Sequence, residues 1–424
     1  CLRSVPEQVE LHRRDKRARC ATTRQLELHG HTIDEAKTRA APLAGHAQAQ
    51  EPARFQVTDI GLGQHALAVG PGRPLCKPFG QPTCALERNQ TFHRGFLFLA
   101  QQTAGRRHAW PLPSARHCAM IPKTTMKLHG IFPPLPTPFA PSGALDLIGL
   151  TRNIERLALD RVAGFVVGGS NGEFTSLTIE ERLQVITTAR SVIDPDQRLI
   201  AGTGMESTSA TIALTRAAAE AGAEAALVVT PGYFKGRMTA EALTAHFLAV
   251  ADASPLPIIL YSVPANTGVD LPVEAVVALS RHPQIVGLKD SGGDITKFGR
   301  LRLECEPGFQ LLAGSAGFFL AALAVGAVGG IMALANLAAV PLAKVQKSLL
   351  AGDLAQARAI QLPLIPANTA VTARYGVAGL KAALDLLGGT GGHPRLPLLP
   401  LKAEEHADLR RILVNASLLK ANEP

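Results

Sequence analysis

Ile285-Val286-Gly287-Leu288-Lys289-Asp290-Ser291-Gly292-Gly293 is the stretch whose reading decides the fold. Its first four residues are apolar or small, as in a short buried strand. Lys289 stands at the C-terminal end of that strand, and the Asp-Ser-Gly-Gly that follows reads as a loop. If parallel strands close into a (β/α)8 barrel, such strand ends gather at one mouth, where these enzymes keep their chemistry. An amine there is partly desolvated, which favours its neutral form. A neutral amine can attack a ketone and form a Schiff base. The competing reading is a solvated lysine after an ordinary strand, and the rest of the chain must decide.

Strand and helix patterns alternate on both sides of this stretch from about residue 127. Strands are expected over 130–139, 164–168, 198–204, 225–230, 257–263, 285–289, 309–313 and 328–332. Helices are expected over 145–159, 178–192, 207–221, 239–253, 272–280, 294–305 and 317–324. Thr178 and Glu181 have the spacing of a capping box, and Ser207 reads as an N-cap. Strands and helices alternating in this way argue for a closed α/β TIM barrel. An open doubly wound sheet is the alternative, but it would usually carry a nucleotide loop after its first strand. Helical patterns over 340–350, 354–373, 377–387 and 403–419 read as a C-terminal helical appendage. The expected division is thus a barrel over 126–340 and C-terminal helices over 341–424.

Residues 1–125 are of a different kind. The chain carries 43 Lys+Arg against 34 Asp+Glu, a formal charge of +9. The first 125 residues hold 18 of the basic and 9 of the acidic residues, which leaves 25 of each sign for the rest. The barrel therefore has no electrostatic reason to bind nucleic acid. Five of the six cysteines (Cys1, Cys20, Cys76, Cys84 and Cys118) also fall in this segment, leaving only Cys305 beyond it. One thiol in so long a stretch suggests a reducing compartment. The first segment has Arg-rich patches such as Arg13-Arg14-Asp15-Lys16-Arg17, but no sustained helical or strand period. It is longer and more acidic than a targeting peptide, and it lacks the aromatic interleaving of a nucleic-acid arm. It reads as a basic extension, disordered or non-native. Asn89-Gln90-Thr91 has the form of a glycosylation triplet without other signs of secretion. No apolar run reaches the roughly 20 residues of a membrane span, and no Cys/His cluster has zinc spacing.

Polar residues collect just after the strands. Gly169-Ser170-Asn171-Gly172-Glu173 follows the second, a glycine-framed turn whose N–H groups can face an anion. Thr230-Pro231-Gly232-Tyr233-Phe234 follows the fourth, and Tyr261-Ser262-Val263-Pro264-Ala265-Asn266-Thr267-Gly268 closes the fifth. A tyrosine at a strand end is usually a core residue with a satisfied hydroxyl, but two beside a lysine can shuttle protons. Asp290 follows Lys289 directly, alternates to the other face of the strand, and reads as structural.

These motifs resemble the dihydrodipicolinate synthase and N-acetylneuraminate lyase family of pyruvate-dependent class I aldolases. The resemblance covers about 127–420. Within the family, SNGEF (170–174), VVTPGYFKGRM (228–238), LYSVPANTG (260–268), GLKDSGGD (287–294) and LAGSAGF (312–318) are most similar to the 4-hydroxy-2-oxoglutarate aldolases. The resemblance implies a TIM barrel with C-terminal helices, usually a homotetramer. It implies Lys289 as the Schiff-base lysine and Tyr261 as the proton relay. Ser170 would link Tyr261 to Tyr233, which a neighbouring subunit donates. Ser170 and Asn171 would hold the substrate carboxylate, with Ser291 and Gly314 as weaker substrate contacts. Asn266 stands where the synthases carry an arginine for the carboxylate of their aldehyde, which argues against synthase activity. The implied reaction cleaves 4-hydroxy-2-oxoglutarate to pyruvate and glyoxylate. It needs no cofactor and no metal, because the iminium is the electron sink. The expected partner is a small 2-keto acid, with neither nucleic acid nor membrane. Another 2-keto acid lyase or synthase of the family, or a non-catalytic barrel, are the alternatives. The expected setting is the cytoplasm, with the mitochondrion as the alternative.

Overall fold

The computed structural model describes residues 126–421. The basic extension, its cysteines and the Asn89 triplet lie outside the described residues. Eight parallel strands are described: β1 Gly130–Phe132, β2 Gly164–Val167, β3 Arg198–Gly202, β4 Ala225–Val229, β5 Ile258–Ser262, β6 Ile285–Asp290, β7 Gln310–Ala313 and β8 Gly329–Ile331. Their hydrogen-bonded order is β1-β8-β7-β6-β5-β4-β3-β2. Between β1 and β2 the ring closes through a bridge of Pro134 to Val166, with the Leu135 N–H donating to the Val166 carbonyl at 2.8 Å. This is the TIM barrel that the alternation implied, not an open sheet.

Alternation along the strands sorts their side chains into two layers. Phe132, Val166, Ile200, Leu227, Ile259, Val286, Leu312 and Ile331 point inward, one from each strand, and fill the barrel. Phe165, Leu199, Val228, Leu260, Leu288 and Leu311 point outward against the helices. The first strand is shorter than expected, because Pro133, Pro134, Pro136 and Pro138 have no N–H to donate to a ladder.

Strand β6 departs from simple alternation. Ile285 pairs with Ile258, but Gly287 pairs with Ile259, so Val286 has no partner across the ladder. One extra residue on β6 is a β-bulge. It lets both Val286 and Lys289 face the interior although three positions separate them, while Leu288 and Asp290 face the helices. Gly287 is required here, since a Cβ would lie 2.3 Å from the Gln310 carbonyl oxygen.

The helices begin where the sequence places their caps. Thr178 caps helix Ile179–Val192 in a full capping box with Glu181. Ser207 caps helix Thr208–Glu220 and Asp294 caps helix Ile295–Glu304. Beyond the barrel, helix Ala335–Leu350 starts earlier than expected, with a kink at Ala338, and crosses residue 340. Helix Leu354–Thr369 ends in a π-helical turn over Ala370–Arg374 instead of running on to 373. Helices Gly376–Leu386 and Ala403–Asn415 follow. None of the described helices is long and apolar enough to cross a membrane.

Candidate active site

Lys289 is buried, with 5% of its surface exposed. The bulge turns it inward, directly across the ladder from Tyr261. Its Nζ lies 3.9 Å from the centre of the Tyr261 ring. The next residue secures this orientation from outside. Asp290 faces the helix layer, where its carboxylate pairs with Lys297 at 2.8 Å and accepts from the Gly292 N–H. Lys297 also meets Asp270 at 2.6 Å, and Asp270 accepts from the Ser262 hydroxyl at the end of β5. The structural reading of Asp290 therefore holds: it ties the end of β6 to the helix that follows.

Tyr261 gathers the polar groups of the site. Its hydroxyl lies 3.3 Å from Ser170 Oγ, and the Lys289 and Ser291 side chains act on it as well. Burial alone would push the phenol up. The Lys289 charge and the hydrogen bonds of Ser170, Lys289 and Ser291 outweigh that, and its pKa lies below the ordinary tyrosine value. A phenol near pKa 10 is a poor base at neutral pH, and this environment makes Tyr261 a better one.

Ser170 opens a 3-10 turn, Ser170–Gly172, after Gly168 in the left-handed region at φ +64°. The first residues of such a turn have no intrahelical acceptor for their N–H groups, which leaves them for an anion. The Asn171 side chain turns aside: its amide reaches toward the Pro134 carbonyl at 3.5 Å, and it does not line the cavity beside Ser170. Gly314 packs against the site because nothing larger fits: a Cβ would lie 2.0 Å from Ser291 Oγ and 2.7 Å from the Asp290 carbonyl. Gly314→Ala should cost about 1–3 kcal/mol of stability by overpacking. Because Ser291 must turn away from Tyr261 to make room, turnover should fall as well. Thermal melts and steady-state rates on the same preparation check both effects.

A cavity of about 430 Å³ adjoins these residues, lined among others by Ser170, Arg182, Glu206, Thr230, Asn266 and Thr267. Lys289 does not line it. Contact runs from the cavity through Ser170 and Tyr261 to Lys289. Arg182 is buried, donates to the Phe174 carbonyl and stacks over the Phe174 ring, and burial pulls its pKa down. Glu206 accepts the N–H groups of Gly232 and Tyr233, which fixes the loop after β4. Sequence reading missed both: Arg182 lies inside a helix, and Glu206, just beyond the third strand, stands in no motif that the resemblance picks out. Tyr233 is 77% exposed, packs edge-on against Phe234, and its hydroxyl does not reach Ser170 within one chain. Among the described residues no group of His, Cys, Asp and Glu could hold a metal ion.

A family model described as the dihydrodipicolinate synthetase family matches residues 127–416. The chain belongs to that family. It is 39% identical over 280 residues to a 4-hydroxy-tetrahydrodipicolinate synthase of Exiguobacterium sp., covering 66% of this chain and 95% of that one. It is 39% identical over 290 residues to the enzyme of the same name from Methanoculleus marisnigri, covering 68% and 99%. Among solved structures, the chloride-inhibited dihydrodipicolinate synthase of Acinetobacter baumannii complexed with pyruvate is similar at 33% identity. Its TM-score is 0.66, and the likeness covers 69% of this chain and all of that one. As a dihydrodipicolinate synthetase family member the chain is a pyruvate-dependent aldolase or synthase, an enzyme that makes or breaks carbon–carbon bonds.

Proposed function

We propose that Lys289 forms a Schiff base with a 2-keto acid and that Tyr261, with Ser170, moves the protons. The observation that carries this reading is the buried lysine over the Tyr261 ring, beside a hydroxyl with a depressed pKa. Lys289 Nζ attacks the ketone carbon of pyruvate to give a carbinolamine. Tyr261 delivers the proton with which hydroxide leaves as water, and the iminium results. The Tyr261 phenolate left by that step takes a C3 proton, and the resulting enamine attacks an aldehyde. The reverse sequence cleaves a 4-hydroxy-2-keto acid, with Tyr261 taking the C4 hydroxyl proton. The anion-facing N–H groups of Ser170 and Asn171 suit the carboxylate of the keto acid. Tyr233 would join the relay only from a second copy, in the homotetramer that the family resemblance implies; its exposure beside Phe234 suits that role.

The aldehyde is the finer question. The relatives, named 4-hydroxy-tetrahydrodipicolinate synthases, support a synthase better than they support cleavage of 4-hydroxy-2-oxoglutarate. One observation favours the cleavage: Asn266 lines the cavity at the position where the resemblance implies a synthase arginine, and the arginine that does line the wall, Arg182, is engaged by Phe174. The relatives named are bacterial and archaeal, which supports a cytoplasmic setting over a mitochondrial one.

Mass spectrometry after borohydride reduction with pyruvate tests the chemistry, since an adduct must appear on Lys289. Parallel assays with 4-hydroxy-2-oxoglutarate and with pyruvate plus aspartate semialdehyde then separate the two readings. Asn266→Arg should shift the ratio of the two specificity constants toward the synthase reaction by about 10-fold, the worth of one charge-assisted contact. An unchanged ratio would remove Asn266 from the specificity argument.

A further inference from the structure

Glu173 ends the turn that carries Ser170, yet its side chain points away from the cavity and is buried. One carboxylate oxygen lies 2.5 Å from Lys381 Nζ, with both side chains 1% exposed. The other accepts the Arg395 N–H at 2.9 Å. Lys381 comes from helix Gly376–Leu386 in the C-terminal appendage. Its ammonium also donates to the His393 carbonyl at 2.7 Å and sits 4.3 Å over the Phe139 ring. The Arg395 guanidinium covers the same ring at 4.2 Å and pairs with Glu181. The segment after this helix thus folds back against the loops that follow β1 and β2. Thr390 exchanges two hydrogen bonds with Asn153, and Arg395 reaches the carbonyls of Gly143 and Ser176.

Two features make this more than an anchor. Glu173 holds φ +53° and ψ +42°, a left-handed conformation that costs a non-glycine residue about 1–2 kcal/mol. Something must hold it there, and the paired carboxylate does. The Glu173 N–H in turn donates to the Ser170 carbonyl at 3.1 Å, closing the turn whose serine meets Tyr261. The path from Lys381 to the Tyr261 hydroxyl is therefore short and made of direct contacts.

We propose that Lys381 is a positioning residue: through its buried ion pair with Glu173 it sets the turn that presents Ser170 to Tyr261. The C-terminal appendage then completes the active site although it contributes no atom to it. Breaking a buried pair leaves a stranded charge, and in this place the stranded Glu173 would release the turn. The inference rests on the Schiff-base reading above.

The test is a double-mutant cycle between Lys381→Met and Ser170→Ala. The readouts are the rate of borohydride trapping of pyruvate on Lys289 and the pyruvate concentration that half-saturates it. Lys381→Met alone should slow trapping on the order of 10–100-fold, as misplacement by an ångström does, and should raise half-saturation. In the Ser170→Ala background the same change should cost less than about 3-fold, because the group it positions is gone. Equal losses in both backgrounds, or no loss in either, would overturn the proposal and leave the pair a plain anchor. If Lys381→Met does not fold, the charge-neutral pair Glu173→Gln with Lys381→Met replaces it in the same cycle. Absence of any adduct on the unsubstituted enzyme would instead count against the Schiff-base reading itself.

Discussion

Lys289→Ala should lower turnover by at least about 10⁴-fold, in the range seen when a covalent nucleophile is removed. Its protein should gain no pyruvyl mass on borohydride reduction. Among the described residues, Lys297 cannot take over: it lies on the other side of the strand, paired with Asp290 and Asp270. Lys289→Arg should be equally inactive, because a guanidinium stays protonated and cannot condense with a ketone. The fold should survive both changes. The apolar layer below the site and the outward Asp290–Lys297 pair are untouched. Circular dichroism and a thermal melt on each variant separate lost chemistry from lost structure. Near-normal turnover in either variant would end the Schiff-base assignment.

The second large effect concerns Tyr261. Tyr261→Phe keeps the ring that packs inside the barrel and removes only the hydroxyl shared by Ser170, Ser291 and Lys289. Removing a general acid–base group costs about 10²–10⁴-fold, and kcat should fall by that factor. The adduct on Lys289 should still form, but slowly, because carbinolamine dehydration loses its proton donor. The pH profile supplies an independent sign. The Lys289 charge and the hydrogen bonds hold the phenol below its ordinary pKa, so its ionised form appears at lower pH than in a free tyrosine. One ionisation in the kcat/KM profile should therefore lie below about 10, and Tyr261→Phe should abolish it. An unchanged profile in the variant would assign that ionisation elsewhere.

The strands and the two catalytic candidates at their ends were legible because both depend on local signals. Apolar runs ending in Lys289 and Tyr261 declare strands and strand ends, and Thr178 and Ser207 declare helix starts. The tether from Lys381 to Glu173 was not legible. Nothing near either residue marks it, because the partner is reached only after the chain has closed the barrel and folded back. Arg182 was hidden for a related reason: it reads as one more polar residue of an amphipathic helix, and only packing shows it buried against Phe174. Asn171 enters the site reading through the family resemblance and its backbone N–H; the direction of its side chain, whose amide leans toward Pro134, is set by the tight turn and shows only in the structure.

The bulge in β6 has a practical meaning for anyone who would move this chemistry to another scaffold. On an unbroken strand beginning outward at Ile285, the side chains facing the lumen are those of Val286, Leu288 and Asp290. Grafted residue for residue onto such a strand, the stretch delivers a carboxylate to the reaction chamber and leaves the amine among the helices. The extra residue opposite the Ile258–Ile259 step is what exchanges them. A designer must therefore transplant an irregularity along with the lysine, since counting from the start of the strand puts the wrong charge in the pocket.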